Sequence, residues 1–176
     1  MFNCTLVLVN PRLQGCLDIV LDATKGAGNA ARVRRAPGQW SAAEVVEHLH
    51  RAYLGTARGL EKAVEKNASL ATGATVKQRV ATFALLHLGY FPEGRQAPKH
   101  VLPTGEVDLA ALLDAVRRDL SRLDAAAVKA LERFGHAKVL DHPILGAMTV
   151  EEWLKFHLVH TRHHEKQIRD RLGPST

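Results

Sequence analysis

Between Asp108 and Gly135 the chain places Leu109, Leu113, Val116, Leu120, Leu123, Ala127 and Phe134 mostly three or four residues apart. That period belongs to one face of a helix and to no strand. A helix with such a face must bury it against other helices. Asp108 can cap its start and Gly135 can close it. Two further segments open with capping boxes, "SAAE" at Ser41 and "TVEE" at Thr149, each placing a glutamate where it reaches back to the cap. The first predicts a helix to about Asn67, the second a helix that stops before "GPST". Shorter helices are expected from Arg12 to about Lys25 and from Thr75, through the weaker box "TVKQ", to about Leu88. Four main helices imply an all-α helix bundle, with an additional short helix and long loops at 26–40 and 90–107.

The 176 residues suit one domain, 1–176, with residues 1–10 as an N-terminal extension. The net charge of +6 is dispersed; its densest cluster is "RVRR" at Arg32–Arg35. A nucleic-acid surface would need Arg32, Arg34 and Arg35 to join Arg169 and Arg171, so no nucleic-acid partner is expected. Cys4 and Cys16 form neither a disulfide framework nor a zinc knuckle. The apolar start lacks a basic n-region, and no run is long enough to span a bilayer; a cytoplasmic protein without membrane contact is expected.

Four of the ten histidines fall between His157 and His164. His160 and His164, four residues apart, lie about 40° apart around a helix, so both imidazoles can reach one ion. His157 lies about 10 Å from His164 along the axis, too far for bonds of about 2.1 Å to a shared ion. A third ligand must come from another helix, and the Ser41 helix offers His48 and His50. His48 aligns with Ala52, Gly55 and Gly59, small residues that would let another helix approach, so His48 is chosen. His157 is expected as a buried histidine behind the ligands or as a general base, and His50 and His163 as surface residues. Trp40 and Trp153 are expected as core anchors, and Glu165 as an exposed carboxylate.

Several chemistries are excluded by pattern. Thr161 stands where a zincin protease carries its glutamate, and there is no E-x-x-H pair on each of two helices. No G-x-S-x-G, Walker loop or G-x-G-x-x-G occurs, and "GAGNAA" at 26–31 has no strand before it.

The stretches "WSAAEVVEHL" (40–49) and "HPILGAMTVEEWLKFHLVHTRHHEKQI" (142–168) together resemble the DinB-like superfamily, in particular an uncharacterised branch. The resemblance implies an up-down-down-up four-helix bundle, often a homodimer, holding zinc, nickel or a similar divalent ion. Its motifs carry the ligands onto His48, His160 and His164. Some relatives transfer low-molecular-weight thiols such as bacillithiol or mycothiol. The expectation is a metal-dependent enzyme of thiol S-transferase or hydrolase type acting on a small molecule, with Tyr90, Arg95, Lys99 and His100 as loop candidates over the site. The alternative is a non-catalytic metal-binding module with a structural or sensing role.

Overall fold

The computed structural model describes residues 8–90, 97–105 and 108–173. Arg95 and Cys4 lie outside them. Among the described residues are five α-helices, a two-stranded sheet and two short 3-10 turns. Helix α1 (Pro11–Ala23) starts at Asn10, whose side chain accepts from the Arg12 N–H, with Pro11 placed where no N–H is needed. Helices α2 (Ala42–Glu65), α3 (Val76–Leu88) and α5 (Val150–Leu172) all open with reciprocal capping boxes. Helix α4 (Leu109–Phe134) is capped by Asp108, which accepts from the Ala110 and Ala111 N–H groups.

Helix α2 lies along α4, α1 lies along α5, and α2 also packs on α5. Buried apolar residues from all five helices form a continuous cluster, with Leu13, Leu49, Tyr53, Leu60, Leu120, Leu123 and Leu154 essentially inaccessible. A leucine buried this fully stabilises the fold by about 1.5–3 kcal/mol. On α4 the expected face is shifted slightly. Leu112 is fully buried while Leu113 and Phe134 are only partly so, because the true period of 3.6 runs through 109, 112, 116, 120, 123 and 127.

The sheet is a departure from the all-helical expectation. Strands β1 (Lys138–His142) and β2 (Gly146–Thr149) pair antiparallel, with Leu140 opposite Met148 and His142 opposite Gly146. His142 Nδ1 accepts from the Ile144 and Leu145 N–H groups at 3.1 and 3.2 Å, doing with an imidazole what asparagine does in many turns. Gly146 has φ 75°, and a Cβ there would meet Ala74 Cβ and Gln78 Oε1 at 2.9 Å. Segment 69–74 flanks the pair, with Leu70 N–H donating to the Val139 carbonyl and Ala147 N–H to that of Gly73. The hairpin runs directly into Thr149, the cap of α5, and so fixes where the histidine-bearing helix begins. Among the described residues, no helix is long and apolar enough to cross a membrane.

Candidate metal centre

Helices α2 and α5 bring His48, His160 and His164 together, all three buried. His48 Nε2 lies 3.2 Å from His160 Nε2, and His164 Nε2 lies 3.0 Å from the same atom. Three nitrogens bound at about 2.1 Å to one ion stand about 3.0–3.4 Å apart at octahedral or tetrahedral angles. The spacing fits.

The protons settle the direction of the lone pairs. His48 Nδ1 is 3.0 Å from the Val101 carbonyl, which only accepts, so Nδ1 carries the hydrogen. His164 Nδ1 likewise donates to Gln167 Oε1 at 2.8 Å. Burial holds the His48 imidazole below its ordinary pKa, against the Val101 bond, so its Nε2 is a bare lone pair. Burial and the neighbouring His48 push His164 down to about 3, opposed by Gln167. His160, between them, is held well below the ordinary range by burial and then by His164 and His48. One proton on His160 Nε2 could serve one neighbour only, leaving two lone pairs face to face at the other contact. A cation satisfies all three. A carbonyl or amide oxygen behind each outer imidazole is the usual way a ligand ring is aimed.

Aromatic rings wall the cluster. Phe156 stacks on His160 with centroids 5.1 Å apart, and Trp40 tilts against His48 at 5.3 Å. Trp40 therefore abuts a site residue and is only partly buried, whereas Trp153 is a core residue that donates to the Leu140 carbonyl. His157 is fully buried outside the triad, its Nε2 3.0 Å from the Thr56 hydroxyl and its ring beside Tyr53. Burial pushes it down to about 3. Nearby, burial raises the Cys16 thiol to about 11, which leaves it protonated and without nucleophilic character.

His50 departs from expectation. Its Nδ1 is 2.7 Å from Asp119 on α4 and its side chain is half-buried, so it joins two helices and is not a free surface group. His163 is exposed, as are Tyr90, Lys99 and His100. Glu165 is only partly exposed and pairs with Arg169. Four of the five arginines that a nucleic-acid surface would need bond within the protein. Arg34 pairs with Glu44, Arg35 donates to the Arg171 and Leu172 carbonyls, Arg169 pairs with Asp22, and Arg171 donates to the Trp40 carbonyl.

The small-residue stripe beside His48 works differently from the expectation. At Gly59 a Cβ would stand 2.8 Å from Leu140 Cδ1, so a strand closes on it; at Gly55 nothing lies within 4 Å. Sequence reasoning missed Val101, Gln167 and Glu47. A backbone carbonyl has no sequence signature, but Gln167, three residues after His164, shares its helix face and could have been read.

Residues 25–171, which include all three histidines, match the model of a family described as protein of unknown function (DUF1569). The chain belongs to that family. This DUF1569 member is also 27% identical over 144 residues to the uncharacterized protein YuaE of Bacillus subtilis (strain 168), covering 75% of this chain and 76% of that protein. No solved structure matches it.

Proposed function

We propose that His48, His160 and His164 hold a divalent ion, zinc or nickel, in a metal-dependent enzyme that acts on a small molecule. The observation that carries this reading is the convergence of three Nε2 atoms at 3.0 and 3.2 Å, with two of the rings aimed from behind by Val101 and Gln167. The likeness of segments 40–49 and 142–168 to the DinB-like superfamily supports it. So does the packing of α1, α2, α4 and α5, which we read as that superfamily's up-down-down-up bundle, with α3 as the additional short helix.

A bound divalent ion would supply a Lewis acid that lowers the pKa of a water or a thiol, as S-transfer or hydrolysis requires. The chain's own part is to keep three imidazoles neutral by burial and to hold their orientation. Phe156 and Trp40 limit water around the rings and offer an apolar wall to a substrate. His157 is enclosed and bonded to Thr56, which suits it to hold α5 against α2 and not to carry a proton to solvent.

The burial of all three ligands favours the non-catalytic alternative. Two cavities of about 630 Å³ each lie elsewhere, between α3, segment 69–75 and the hairpin. A closed site with three buried ligands would suit a structural or sensing ion. Loading the protein with Co²⁺ and adding a small thiol separates the two. A thiolate-to-cobalt charge-transfer band is expected for an open coordination position; a spectrum unchanged by thiol would favour the closed module.

A further inference from the structure

Segment 97–105 meets α2 at adjacent residues. Val101 holds His48, and Thr104 and Gly105 sit on Glu47. Glu47 is 2% exposed. Its Oε1 accepts from the Thr104 N–H at 3.0 Å, the Thr104 hydroxyl at 2.9 Å and Arg51 Nε at 3.0 Å. Its Oε2 accepts from the Thr104 and Gly105 N–H groups at 3.0 and 3.1 Å. Taking a carboxylate out of water costs several kcal/mol unless its lone pairs are satisfied. Here two successive backbone N–H groups form a small anion cradle that satisfies them. One turn earlier, Glu44 binds Arg34 and the Ser41 N–H, and a Cβ on Gly105 would come 3.0 Å from Glu44 Oε1. The segment's other polar side chains, Lys99 and His100, are exposed.

We infer that Glu47 is a positioning residue of the metal centre. It clamps Thr104 and Gly105 so that the Val101 carbonyl stays on His48 Nδ1–H, and the His48 lone pair stays aimed at His160 and His164. The inference rests on the metal reading above. Without the clamp, the carbonyl would be free to leave and His48 could rotate or change tautomer.

The test is Co²⁺ titration of the full chain as parent, Glu47→Gln and Gly105→Ala, followed by visible absorption. Gln turns an N–H₂ toward backbone donors. Gly105→Ala, at φ 78°, disturbs the cradle from the loop side and serves if Glu47→Gln does not fold. Both variants should bind Co²⁺ about 10–100-fold more weakly, the usual loss when a ligand's supporting partner is removed, with an altered ligand-field band. A lower melting temperature with the parent's affinity and spectrum would reduce Glu47 to a fold-stabilising residue and overturn the inference. A parent that takes up no Co²⁺ overturns the metal centre and this role with it. A parent that binds, with variants within twofold of it, overturns the role of Glu47 alone.

Discussion

The hydroxyl groups of Tyr53 and Thr161 meet at 2.6 Å in the fully buried interface between α2 and α5, one residue beyond His160. Thr161 donates its own proton to the His157 carbonyl at 2.7 Å, so Tyr53 is the donor between the two. This bond ties the helices that must stay in register for the three histidines to meet.

The asymmetry of that pair predicts an asymmetry in stability. Tyr53→Phe removes a donor from a threonine that keeps another bond, and should cost about 1 kcal/mol. Thr161→Val leaves a buried tyrosine hydroxyl without this acceptor, and should cost more, about 1–3 kcal/mol. The double variant should lose less than the sum of the singles. Urea unfolding of the four proteins checks it; strictly additive losses would contradict the assigned bond.

Asp124 on α4 offers a second check on how the helices are joined. Its carboxylate accepts from the Val9 N–H at 2.6 Å and the Asn10 N–H at 3.1 Å, holding the start of α1. Asp124→Ala strands these donors and should cost about 1–3 kcal/mol. Amide hydrogen exchange should rise first in α1; exchange unchanged there would contradict the anchor.

Acid should weaken the fold partly through His142. Burial, then the nearby His100, lowers it to about 4 in the folded protein, against 6.5 for a histidine in the unfolded chain. The unfolded chain therefore binds more protons between these values. His142 contributes fully above pH 6.5, and its contribution is lost as pH falls toward 4. Between pH 7 and 5 the loss is about 1–2 kcal/mol after allowance for partial exposure. His142→Asn can still accept the Ile144 and Leu145 N–H groups, yet does not titrate. Metal-free His142→Asn should thus lose less stability than the parent over this range. Equal losses would contradict the assignment.

Much of the helical frame was legible because its signals are local. Ser41, Thr75, Asp108 and Thr149 each cap where a cap was expected, and Gly135 and Gly173 end α4 and α5. The hairpin was not legible. Its strands have five and four residues, and its turn depends on His142 accepting two N–H groups and on Gly146 lying close under Ala74 and Gln78. These are tertiary facts. The helical spacing of His160 and His164 was readable, and the structure brings His48 to them and leaves His50 with Asp119. What aims the rings was largely hidden, since Val101 acts through its backbone, and Glu47 bonds Thr104 and Gly105 of the same loop, far from it in sequence.

The most direct measurement is metal uptake by the parent and by His48→Ala, His160→Ala, His164→Ala and His163→Ala, using elemental analysis and titration with Zn²⁺ and Ni²⁺. One ion per chain is expected for the parent and for His163→Ala, with affinity sharply reduced in the other three. A parent without metal, or a His48→Ala variant that binds as tightly as the parent, would contradict a three-histidine centre shared between α2 and α5.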